Sequence, residues 1–86
     1  MSDSEIIWKF LLRDLDDSHP SVYLYCLGTT EQKTIAINKQ IDMCSQVFYS
    51  TFPRTLISTV VKAFLNYKLD EYKKGKIKIT SRYPTI

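Results

Sequence analysis

Hydrophobic and polar positions divide this chain into six short periodic stretches. Ile7, Phe10, Leu11 and Leu15 recur at three- and four-residue steps, which predicts an amphipathic helix over residues 4–15. Trp8 lies at the edge of its apolar face. Ser4 stands as its N-cap, with Glu5 in the first turn. Residues 16–21, Asp-Asp-Ser-His-Pro-Ser, carry the punctuation of a loop. Residues 22–27, Val-Tyr-Leu-Tyr-Cys-Leu, are rich in aromatic and β-branched side chains and predict a strand. Residues 28–32 have the length of a hairpin loop, returning the chain into a second strand over 34–38. There Ile35 and Ile37 would face the core, and Thr34, Ala36 and Asn38 would face outward.

Helical spacing follows. Ile41, Met43, Cys44, Val47 and Phe48 form one stripe, which Pro53 ends. A longer helix opens at Arg54 and Thr55, with Thr55 as its N-cap. Leu56, Val60, Ala63, Phe64 and Tyr67 make its face, widened by Ile57, Val61 and Leu65. So broad a face predicts burial on more than one side, as in a homodimer whose interface holds Leu56, Val60, Phe64 and Tyr67. Lys73 and Lys74 suit a helix C-terminus, and Gly75 suits the residue just beyond it. Alternation over 76–80 predicts a short edge strand, followed by a tail over 81–86. The expected fold class is therefore α+β, in the order α-β-β-α-α-β. It forms one domain over residues 1–86, with an acidic helix–strand extension at 1–31, a strand–helix–helix core at 32–74 and a basic tail at 75–86.

Composition narrows the class. The chain is 44% hydrophobic and 24% charged with two glycines, which is a folded globular chain rather than a disordered one. No apolar run has the length of a membrane span, and the first residues do not read as a secretory signal, so an intracellular protein without a membrane partner is expected. Charge is uneven. Residues 1–31 hold two basic against six acidic side chains, and residues 32–86 hold ten basic against three acidic. That asymmetry is expected of a chain whose second half faces a polyanion, or of one whose acidic and basic parts face each other.

Candidate chemistry is sparse. His19 is the single histidine and reads as a solvated loop residue without a triad or metal partner. Cys26 and Cys44 lie eighteen positions apart in apolar segments and read as small buried hydrophobes, with a disulfide left open. Asp14, Asp16 and Asp17 lack the alternation and glycine of a calcium loop and read as a solvated acidic turn. No glycine-rich phosphate loop and no nucleophile–base pair is legible, so no enzyme, no cofactor and no metal is expected. Tyr23 and Tyr25 would share one strand face, where they would pack in a core or stack on bases.

The succession of strand, helix, break and longer helix over residues 33–72 resembles the ribbon-helix-helix DNA-binding family, which includes the methionine and Arc repressors. The resemblance is carried by Lys-Thr-Ile-Ala-Ile-Asn at 33–38, by Met43 and Val47, and by Val-Val-Lys-Ala-Phe-Leu-Asn-Tyr at 60–67. It implies a ribbon-helix-helix-like core and a homodimeric transcription regulator whose partner is double-stranded DNA. By that resemblance Thr34, Ala36 and Asn38 would read base edges, and Arg54 and Thr55 would clamp phosphate. The same order of elements is similar to one type of KH domain, although residues 52–55 lack the Gly-x-x-Gly of its clamp. The alternative function is a small α+β protein-interaction module, such as an inhibitor or assembly subunit. The mate of strand 34–38 distinguishes the two: the same strand of a second chain for DNA binding, or residues 22–27 for the module.

Overall fold

The computed structural model describes residues 2–48 and 51–79. Four helices make up its regular structure: α1 (Asp3–Asp14), α2 (Pro20–Leu27), α3 (Thr30–Phe48) and α4 (Arg54–Lys73). Among the described residues there is no strand, so the α+β order and the ribbon-helix-helix core are corrected to an all-helical fold. The strands expected over 22–27 and 34–38 are helical, and 76–79 form no ladder. Thr80 and the tail over 81–86 lie outside the described residues.

Local capping explains why helices form. Ser2, rather than Ser4, starts α1: its Oγ accepts the N–H of Glu5 at 3.2 Å and donates to the Glu5 carboxylate at 3.2 Å. Asp3 and Glu5 occupy the first turn and Arg13 the last, which complements the helix dipole. In α2, Pro20 takes the first helical position, where its fixed φ is preorganised and its missing N–H costs nothing. Its buried side chains Ser21, Val22, Leu24 and Tyr25 follow helical spacing. The aromatic and β-branched content that predicted a strand is a weak preference, which packing against α3 and α4 overrides.

The supposed hairpin loop is the start of α3. The N–H of Gln32 bonds Thr29 Oγ1 at 3.2 Å, and the N–H of Thr29 bonds Gln32 Oε1 at 2.9 Å. This reciprocal capping box satisfies two amides that a helix start leaves open. Ala36, Gln40, Ile41 and Cys44 then form the buried face of α3. Ile35 and Ile37, assigned to one strand face, fall on different sides: Ile35 is exposed and Ile37 is half-buried.

Pro53 is the N-cap residue of α4, displacing the expected Thr55, and no side chain caps that end. The buried residues Ile57, Val60, Val61, Phe64 and Leu65 keep strict helical spacing. At the other end the N–H of Gly75 bonds Tyr72 O and the N–H of Lys76 bonds Glu71 O, both at 3.0 Å. These two bonds close a Schellman turn, and Gly75 at φ 75° supplies the left-handed residue it needs. Helix α4 is the central element and packs on α1, α2 and α3, while α2 also packs along α3. Ile7, Leu11 and Leu15 of α1 and its C-terminus meet Phe64, Leu65 and Val61 in one core. Trp8 sits edge-on to Phe64 at 5.1 Å and to Tyr67 at 5.7 Å. Phe10, Phe48 and Phe52 form a second aromatic chain.

Candidate interaction surfaces

The residues expected to read DNA do not form one surface. Thr34 and Asn38 are exposed on α3, one turn apart, and Ala36 is buried between them. At about 100° per residue, Ala36 points away from both. Thr34 Oγ1 donates to the Thr30 carbonyl at 3.1 Å, within its own helix. With no ribbon, this trio loses the geometry on which base reading rested.

Arg54 and Thr55 do stand together at the start of α4, both exposed. The Arg54 guanidinium donates to Asp42 Oδ1 of α3 at 2.6 Å and to Ser45 Oγ at 3.4 Å. An open cavity of about 510 Å³ is lined there by Asp42, Ser45, Gln46 and Arg54. A second hollow of about 240 Å³ continues it past Phe52, Pro53 and Ile57. Both side chains of the pair are more than half exposed, at 60% and 59%, so water screens their attraction. The Asp42 carboxylate also competes with any anion that approaches Arg54.

The four residues expected at a dimer interface are divided. Val60 and Phe64 are buried within the chain, Leu56 is half-buried, and Tyr67 is 45% exposed beside Trp8. The breadth of the α4 apolar face is thus taken up by three helices of the same chain. Other exposed apolar side chains among the described residues are Ile6 and Leu12 on α1, Leu27 at the end of α2, and Ile35, Met43 and Val47 on α3, the one helix that carries three of them. Ile35, Met43 and Val47 are 40%, 46% and 56% exposed. Their spacing of eight and four residues sets them along one side of the helix, with Lys39 between them. Strand periodicity over 34–38 separated Ile35 from the other two. A single helix drawn from Thr30 onward would have joined them.

Positive charge collects at the far end of α4. Lys73, Lys74, Lys76 and Lys78 are all exposed within six residues. Lys74 pairs with Asp70 at 2.9 Å, and this hydrogen-bonded carboxylate raises the Lys74 pKa. The other three form no ion pair with the described residues. Acidic residues are engaged at the α1–α2 connection. Asp16 accepts the Ser18 N–H at 3.0 Å and Oγ at 2.8 Å, bonds that lower its pKa. Asp17 bonds Lys68 Nζ at 2.8 Å. No group of His, Cys, Asp and Glu among the described residues is arranged to hold a metal.

The remaining candidates pack or hydrogen-bond within the fold. Tyr25 is buried, donates its hydroxyl to Asn66 Oδ1, and has the Lys33 ammonium 5.9 Å from its ring centroid. Burial raises its pKa. Tyr23 is half-buried and, on a helix, does not share a face with Tyr25. Both cysteines are free thiols. Burial pushes the Cys44 thiol up to about 11 and also raises Cys26. His19 is half-buried and not a solvated loop residue: its Nδ1 accepts the Ser21 N–H at 3.1 Å and caps α2. No helix among the described residues is long and apolar enough to cross a membrane. Comparison with known proteins finds no matching family profile, no matching curated protein and no matching solved structure.

Proposed function

We propose that this protein is a small helical interaction module that docks another protein on the outward side of α3. The observation that supports this reading is the exposed line of Ile35, Met43 and Val47 on a helix that buries Ala36, Gln40, Ile41 and Cys44 in the core. Aligned exposed apolar side chains are a feature of docking faces, whereas single scattered ones are ordinary. A photoreactive amino acid at position 43, compared with one at exposed position 62 of α4, tests it in living cells. Protein adducts from 43 and not from 62 are expected. Equal yields from the two positions, or none from 43, would rule the reading out.

The lysine-rich end favours a second reading, phosphate attraction without base reading. Four exposed lysines in six residues would bind DNA or RNA through counterion release, with affinity falling steeply as salt rises. Replacing Lys73, Lys74, Lys76 and Lys78 with glutamine should abolish duplex binding in a low-salt anisotropy titration. If the quadruple variant binds as tightly as the wild type, the lysines are not the contact.

A further inference from the structure

Helix α2 begins on a titratable cap. The His19 imidazole is the acceptor for the Ser21 amide, at 3.1 Å from Nδ1. A nitrogen that accepts carries no proton, so the neutral ring holds its hydrogen on Nε2. Ser21 is buried and continues the connection: its Oγ accepts from Gln40 Nε2 of α3 at 2.7 Å, and Gln40 is itself 3% exposed. Histidine cap, first turn of α2 and buried face of α3 therefore form one hydrogen-bonded chain. We propose that this chain is an acid-sensitive latch: a proton on His19 Nδ1 removes the acceptor of the Ser21 N–H and loosens the first turn of α2 from α3.

Three effects act in the same direction. Protonation turns Nδ1 from acceptor to donor, so two N–H groups face each other. It also puts positive charge at a helix N-terminus, where the dipole opposes it. Burial also denies the charged ring part of the hydration it would have in water, and this is the main reason that its pKa lies below the ordinary 6.5. Charged groups approach from the neighbouring elements. Asp14 at the end of α1 and Asp16 in the connection favour the imidazolium, and Lys39 on α3 opposes it. The Asp17–Lys68 pair, which ties this connection to α4, is internally compensated. Because the folded pKa is depressed, the cap's contribution is complete above about pH 6.5. It is lost as pH falls through the lower folded value.

The test is thermal unfolding of wild type and His19→Asn at about pH 7.5 and about pH 5, a window in which histidine titrates. Asparagine caps helices without titrating there. Loss of a helix cap on a chain of this size shifts Tm by roughly 5 °C. Wild type should lose up to that much on acidification, and His19→Asn clearly less. A parallel fall in both would overturn the latch. NMR of the wild type gives an independent reading if the variant folds poorly. Nδ1 should be unprotonated at neutral pH, and the Ser21 amide should shift in step with the ring titration. A ring protonated at Nδ1 at neutral pH, or a Ser21 amide indifferent to it, would refute the proposal.

Discussion

Single residues here are governed by burial. Cys44 is fully buried, and its pKa of about 11 leaves almost no thiolate near neutrality. Cys26 is only half-buried, with Lys33 and Lys68 partly offsetting the burial that raises its pKa. Labelling by a thiol reagent should therefore proceed in two phases, Cys26 first and Cys44 only through opening of the core. Equal rates for the two, assigned with Cys26→Ser and Cys44→Ser, would contradict this. The Ser21–Gln40 pair obeys a different rule, because it is polar and buried. Ser21→Ala strands the Gln40 amide and should cost about 1–3 kcal/mol in chemical denaturation. Adding Gln40→Leu to Ser21→Ala should recover much of that loss, since both partners are then apolar. If the double variant loses the sum of the two single losses, the pair is not coupled.

Helices in this chain depend on how they start and stop. Thr29 and Gln32 bind each other's amides, and Gly28 leaves room for that turn. A Cβ built on Gly28 would lie 2.3 Å from the Leu24 carbonyl and 2.9 Å from Gln32 Cβ. The backbone at φ −82° suits any residue, so the constraint is space and not conformation. Gly28→Ala should destabilise by about 1–3 kcal/mol, the usual cost of overpacking, and should perturb the start of α3 most. Hydrogen exchange localised to residues 29–33 would check it. Gly75 is the opposite case: nothing lies within 4 Å of an added Cβ, but φ is 75°. Gly75→Ala should cost about 1 kcal/mol through backbone strain alone, with the fraying confined to the last turn of α4.

At the scale of the molecule, α4 is the pillar on which the other three helices rest. Phe64 lies at the meeting point, fully buried against Trp8, with the Lys68 ammonium 5.6 Å from its ring centroid. Phe64→Ala should cost about 3–5 kcal/mol, followed conveniently by the emission of Trp8, the single tryptophan. Met43→Ser, on the exposed side of α3, should change stability by less than about 0.5 kcal/mol. Similar losses from the two would mean that α3 is not docked as described. Helix α4 was legible in the chain because its twenty residues show several turns of one period, a proline before it and a glycine after it. Helix α1 was legible for the same reason, missing its cap by two residues. Helix α2 and the first half of α3 were not. Over six residues, an apolar run such as Val22 to Leu27 fits a period of two as well as one of 3.6. Its aromatic and β-branched content favours a strand until there is a surface to pack on. The signals that decided against strands, Pro20 at a helix start and the Thr29–Gln32 box, are present in the sequence but are also common in loops. What the sequence by itself determined was helices α1 and α4, the second half of α3 and a basic end. Only tertiary structure decided the rest: α4 presents a wide apolar face on which the two ambiguous segments pack as helices, whereas an isolated two-stranded ribbon is marginal in water. The same choice turned the α4 face inward and left Ile35, Met43 and Val47 outside.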